Sequence, residues 1–184
     1  MFAKQRLIVR AIVCAVGVLL FQSGAAAEEK SESARSTIDL GVVVSQIDPS
    51  VKFYTEAIGF KELPGFTVAA DFCADAGLTN HLALTIRVLA LGDEPSATKL
   101  KLMSLPGVKM KQSDNGFIHS QLGYRYLTIY VTDADAALAR LKKAGVKPLA
   151  KGPVPLPAGL PEGMALMVVR DPDGNLIELI GPKH

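Results

Sequence analysis

The chain is short of cysteine and histidine, and it has no large surplus of either charge. Two cysteines and three histidines are spread over 184 residues, and the basic residues outnumber the acidic ones by only twenty to eighteen. Cys14 lies in an apolar run near the N-terminus, so once that run is removed Cys73 stands alone. No internal disulfide can then form, and the domain must be held by its core, which a chain of this length can build. No basic residue stands near Cys73 in sequence to activate a nucleophile, so it reads as packing.

Long hydrophobic runs are also lacking. The longest, residues 11–21 (AIVCAVGVLLF), falls short of the roughly 20 apolar residues that span a bilayer. Lys4, Arg6 and Arg10 precede it, and QSGAAA at 22–27 follows. That is the layout of a secretory signal peptide cleaved after Ala27, and it implies export to a periplasm or the medium. No small-residue lipobox precedes a cysteine near the cleavage point, which argues against a lipoprotein. The leader carries three of the twenty basic residues and no acidic one, which leaves a net charge of −1 beyond it. The basic excess therefore gives no argument for nucleic acid or an anionic lipid surface, and no stable membrane insertion is expected after cleavage.

Residues 28–37 (EEKSESARST) are polar and without apolar period, which reads as a flexible linker. The domain is expected over 38–184. Residues 38–45 (IDLGVVVS) read as a strand. Asp48-Pro49 then opens a helix, with Asp48 as cap and Pro49 at the first helical position. Val51, Phe53, Tyr54, Ala57 and Ile58 form its apolar stripe, and Gly59 ends it. A short helix is expected over 69–76, and strands over 81–91 and 98–105. After a Gly- and Pro-containing connector at 106–123 comes a strand at 124–132. A helix at 133–144 follows, capped by Asp133 and ended by Gly145. A short strand over 146–150, a Pro-rich loop over 151–163, and a hairpin of 164–170 with 175–180 across Asp-Pro-Asp-Gly complete the chain.

The order strand, helix, three strands thus occurs twice, over 38–105 and 124–182. DLGVVVS at 39–45 lies 87 residues before YLTIYVT at 126–132, and LKLM at 100–103 matches IELI at 177–180. Such duplication is a fold-level signal. Two units of this kind each offer a half-cupped sheet, and together they close over a cavity.

Two stretches carry a resemblance. SVKFYTEAIGF at 50–60 is similar to the first-helix signature of the vicinal oxygen chelate superfamily, which includes glyoxalase I, bleomycin-resistance proteins and extradiol dioxygenases. DPDGNLIE at 171–178 resembles its last-hairpin signature, and the likeness runs over roughly 38–182. It implies an α+β fold of two paired βαβββ modules forming a cupped mixed sheet around a cavity. It also implies a divalent metal held by the first and last strands of each module. Position by position, those places fall on Asp39, Lys101, Tyr126 and Glu178. Only Glu178 matches the usual ligand set; His or Gln is common at the first place, Glu at the second and His at the third. A protonated lysine has no lone pair to give and repels a cation. Asp39 and Glu178 alone would hold a hard cation weakly, with waters completing its shell. No two-histidine, one-carboxylate iron site is visible in this register; His81 and His119 read as a strand-start and a surface-loop residue. No other cofactor is expected.

Glu178 shares a strand face with Leu176 and Ile180, while Ile177 and Leu179 take the other. A carboxylate between large apolar neighbours is costly to bury unless paired. Lys101 is its repeat-equivalent, and the sharpest reading puts the Lys101 ammonium in the electrostatic role of the missing metal. Asp39 and Glu178 would flank it, with the Tyr126 hydroxyl as donor. These four are the candidate ligand-binding residues, and Asp39 and Glu178 the candidate metal ligands if a metal binds. Met103, Tyr124, Tyr126, Tyr130 and Met167 are candidates for lining.

Three functions stay open. One is a metal-independent binding protein for a small, mostly apolar molecule. Another is a metal-dependent lyase or dioxygenase with an atypical ligand set. The third is an interaction module that kept the fold and lost the site. Sites in this superfamily form within a chain or across a dimer, so monomer and homodimer are both compatible.

Overall fold

The computed structural model describes residues 33–184 apart from Glu94. The signal-peptide reading of 1–27 and the first half of the linker lie outside the described residues. Alternation sets the faces from the first strand onward. In β1 (Asp39–Val43), Leu40 and Val42 pack on the core while Gly41 and Val43 stay exposed. Helix α1 (Ile47–Lys52) follows and runs on into a π-helical turn over Phe53–Ile58, ended by Gly59 at φ 104°. The expected stripe from Val51 to Ile58 is buried. The expected cap is not there. The helix starts at Ile47, and the Asp48 carboxylate accepts instead from Arg87 at 3.1 Å. A charge-assisted bond to a guanidinium outweighs one to a neutral amide.

β2 (Lys61–Val68) had no strand signal. It is an edge strand, exposed along nearly its whole length, with Pro64 and Gly65 inside it and a bulge between Leu63 and Phe66. A proline is tolerated there because an edge position can do without its N–H. Glycine is required next to it, since a Cβ on Gly65 would sit on the Ile86 carbonyl oxygen. Helix α2 (Ala70–Asp75), β3 (Leu84–Ala90) and β4 (Lys99–Ser104) complete the first module. His81 is in the turn before β3, at φ 52°, rather than at a strand start.

In the second module, β5 (Tyr126–Tyr130) leads to α3 (Ala134–Lys143). Asp133 caps α3 as expected, accepting from the amides of Asp135 and Ala136. No strand forms over 146–150. The edge strand is the two-residue β6 (Val154–Pro155), inside the Pro-rich segment read as loop. Too few apolar residues stand there for periodicity to show it. β7 (Met164–Arg170) and β8 (Leu176–Pro182) form the hairpin.

The strands make two four-stranded mixed sheets, ordered β1-β4-β3-β2 and β5-β8-β7-β6. The duplication read in the sequence is preserved in register. Asp39 pairs with Lys99 as Tyr126 pairs with Leu176, and Gly41 with Lys101 as Thr128 with Glu178. Residues 35–184 form one compact unit in which both modules share a core. Tyr54 and Leu102 of the first pack in one cluster with Leu141, Met167 and Ile177 of the second.

Polar contacts fix the seam. The Arg140 guanidinium of α3 donates to the carbonyls of Ala57 and Ile58 at 3.0 and 3.1 Å, capping the first module's helix. The Tyr54 hydroxyl donates to Asp171 Oδ2 at 2.9 Å, with both residues buried. Burial, with the Asp171 carboxylate beside it, drives the phenol pKa far above its ordinary value, so the hydroxyl stays a donor. Among the described residues, no helix is long and apolar enough to cross a membrane.

Tyr54→Phe is expected to lower the free energy of unfolding by about 1 kcal/mol, the net worth of one hydrogen bond, because the Asn175 side chain still donates to the same Asp171 oxygen. Urea titration followed by circular dichroism checks this. An unchanged midpoint would show that the seam does not depend on the bond.

Candidate functional site

Each sheet turns one face to the helices and leaves the other open. In β8, Ile177 and Leu179 are fully buried toward the shared core, and Leu176, Glu178 and Ile180 take the opposite face. The register places Tyr126 and Thr128 of β5, and Leu166 and Val168 of β7, on that open face with them. In the first sheet the open face carries Asp39, Gly41 and Val43 from β1, Lys101 and Met103 from β4, and Ile86 and Val88 from β3.

The two open faces are treated differently. Over the first sheet, α2 lays the fully buried Cys73 against Ile86, Val88 and Met103. That cluster gives Cys73 the packing role expected of it, and it makes Met103 core rather than lining. Over the second sheet a cavity of about 560 Å³ remains. Tyr126, Leu166, Val168 and Glu178 form its floor, and Phe117, Ile118, Leu149 and Lys151 come from the loops around it. A cleft of about 280 Å³ lies between the modules, where Leu40 to Val43 of β1 face Tyr124 to Leu127 around β5. Tyr126 and Leu176 line both spaces. Tyr126 is about half exposed, at 49%, whereas Tyr124 and Tyr130 are more open still. Met167 is buried in the helix-side core and meets the cavity only from behind.

The four sequence-predicted residues fall into two pairs. Lys101 Nζ lies 2.9 Å from Asp39 Oδ2, and Arg35 reaches the same oxygen at 3.1 Å. Tyr126 and Glu178 line the second-module cavity together. The structure does not bring Lys101 to Glu178. Glu178 accepts from the Thr128 hydroxyl at 2.8 Å instead. The residues beside them differ. Lys101 faces Gly41, where the Met103 methyl takes the space a side chain would fill, and its ammonium is held by Asp39 of the same strand. Glu178 faces Thr128 at the same register and finds a donor next to it. Nothing in the sequence outside this strand pairing pointed to Thr128.

The hydrogen bond from Lys101 is the main cause holding the Asp39 carboxyl below the usual carboxylate range. Desolvation works against it, and the Lys101 and Arg35 charges add to it. Asp39 Oδ1 is buried with no hydrogen-bond partner among the described residues. That lone oxygen does not make a cation site, because two cations already hold the other. Among the described residues, no three His, Cys, Asp or Glu side chains come together in a way that could hold a metal ion. The donors at the four family positions, as placed, do not fit a divalent metal. His81 stands by Asp71 at 3.7 Å, and His119 stacks on Phe117 in the connector.

Because the Asp39 pKa is depressed on folding, its stabilising contribution is present in full above its ordinary value near 3.8. It is lost as the pH falls through the lower folded value. The stability gap between wild type and Lys101→Met is therefore expected to be flat from neutral pH down to about 5 and to shrink below about 4. Denaturant titrations across that range check it. A gap that persisted unchanged into strong acid would remove the ion pair as its source.

Comparison with known proteins agrees with this architecture. The sequence profile described as Glyoxalase/Bleomycin resistance protein/Dioxygenase superfamily matches residues 38–179. No curated protein sequence matches the chain. Among solved structures, a glyoxalase family protein from Bacillus cereus is similar, with TM-score 0.66 and 20% identity over 84% of this chain and 99% of that one. A glyoxalase I mutant from Zea mays superimposes with TM-score 0.57 and 22% identity, over 79% of this chain and 47% of that one. A glyoxylase/bleomycin resistance protein/dioxygenase domain from Frankia sp. gives TM-score 0.52 and 20% identity, over 82% and 92%. At these identities the structures speak for the fold alone. With two βαβββ modules in matching register and a profile match across both, the chain belongs to the glyoxalase/bleomycin resistance protein/dioxygenase superfamily.

Proposed function

We propose that this protein is an exported domain that binds a small, mostly apolar molecule, without a metal, over the open face of its second sheet. The observation that carries the reading is the 560 Å³ cavity on Tyr126, Leu166, Val168 and Glu178. Its size lies in the range of small-molecule sites, roughly 300–1,000 Å³, and its walls are mainly apolar with few polar groups. Metal independence is supported by the first module, where Asp39 and Lys101 are committed to each other. A metal-dependent lyase or dioxygenase would need those positions as donors. Export is supported by the basic, apolar and small-residue succession over residues 1–27.

Two measurements test the proposal together. Elemental analysis of protein purified without chelator, wild type beside Glu178→Ala, is expected to find no stoichiometric Fe, Mn, Ni or Zn in either. A stoichiometric metal in wild type that disappears in the variant would overturn metal independence and favour an enzyme. In excess EDTA, a neutral apolar dye such as Nile red is expected to bind saturably and to raise the melting temperature. At a hundred times its Kd, a ligand stabilises by about 2.7 kcal/mol. Val168→Glu, which puts a charge on the cavity floor, is expected to weaken the dye about tenfold or more. Dye binding indifferent to Val168→Glu would move the ligand elsewhere.

A further inference from the structure

We infer that the molecule bound in the second-module cavity carries a protonated amine on an apolar body, and that the free oxygen of Glu178 receives it. The inference rests on the binding reading above and names its ligand class. Among the described residues, Glu178 is the one carboxylate that lines the cavity. One of its oxygens accepts from Thr128, a neutral hydroxyl, at 2.8 Å. The other has no protein donor, and no lysine, arginine or histidine stands within ion-pair distance among the described residues. Its neighbours on the floor are Leu166, Val168 and Leu176. The carboxylate has thus given up part of its hydration without gaining a cation, an arrangement that an incoming ammonium improves.

Two cationic side chains also line the cavity, and neither answers Glu178. The Arg170 guanidinium is engaged by backbone carbonyls, at 2.6 Å to Asn115, 3.0 Å to Gly116 and 3.4 Å to Gly174. It holds the connector that walls the cavity. Lys151 is exposed on the rim, where water and salt screen it. Aromatic rings complete the case. Tyr126 and Phe117 line the same space, and both are well exposed to it. A ring met face-on attracts a cation and not an anion.

Three ligands with one skeleton separate charge from shape: phenylbutylamine, phenylbutanol and phenylbutyrate, which are cationic, neutral and anionic at pH 7. Calorimetry on the purified protein in low salt is expected to show the amine binding about tenfold tighter than the alcohol, the worth of one charge-assisted contact. The acid is expected to bind weakest, and the advantage of the amine to shrink as salt is added. Glu178→Gln keeps an oxygen for Thr128 to bond, and it should bring the amine down to the level of the alcohol. Equal binding of amine and alcohol by wild type would overturn the inference and leave the binding reading standing. Tightest binding by the acid would overturn it in favour of Lys151 and Arg170. Failure of all three to bind would overturn both readings. The wild-type order decides the matter even if Glu178→Gln folds poorly.

Discussion

A single buried hydrogen bond, from the Tyr54 hydroxyl to Asp171, joins the two modules at the point on which the rest depends. Asp171 is saturated around it. Its Oδ1 accepts from the amides of Asp173 and Asn175, and its Oδ2 also accepts from the Asn175 side chain. The Asp-Pro-Asp-Gly turn is thereby fixed to itself and to the first module's helix at once. The next carboxylate in the turn, Asp173, accepts from the amide of Ser45 just beyond β1. The two stretches that carry the family resemblance are therefore in contact, and their shared work is to lock the start of β8 against the end of β1. Tyr126 and Leu176, which line both the inter-module cleft and the second-module cavity, are positioned by that lock.

Duplication supplied two equivalent sheets, and divergence at a few positions made them unequal. The residue facing Lys101 is Gly41; the residue facing Glu178 is Thr128. The Lys101 ammonium is held by Asp39, and the Glu178 carboxylate accepts from the hydroxyl beside it. The covering of the sheets diverged as well. The chain between β2 and β3 folds α2 down onto the β3–β4 side of the first open face, whereas the second module has only a two-residue edge strand and loops at that place. A partly covered face and an open one follow from the same strand order.

Much of this was legible in the sequence. Period-two alternation and helical spacing located the strands and helices that supply the shared core, and the equivalence of Asp39 with Tyr126 and of Lys101 with Glu178 reappears in the strand register. The alternation of β8 correctly separated Glu178 from Ile177 and Leu179. What stayed hidden depends on partners distant in the chain. β2 has no apolar period because it is an edge strand with water along it, and its proline and glycine read as a loop. Asp48 looked like a helix cap because Arg87 is 39 residues away. The pairing of Lys101 with Asp39 rather than Glu178 follows from β4 lying beside β1 in the first sheet, which a list of charged residues does not reveal.

That pairing divides the electrostatics of the molecule into two separate problems. Within the first module, Asp39 meets both Lys101 and Arg35, so its charge is fully engaged and the surplus positive charge lies on side chains that water reaches. The contribution of such a group to stability is modest. Within the second module, Glu178 meets only a neutral donor and stands open to a cavity with apolar walls. Had Lys101 crossed to Glu178, both charges would have been consumed between the modules and the cavity would select by shape alone. Because it does not cross, the carboxylate at the centre of the final hairpin keeps an unmet charge at the floor of the one large apolar space on that face.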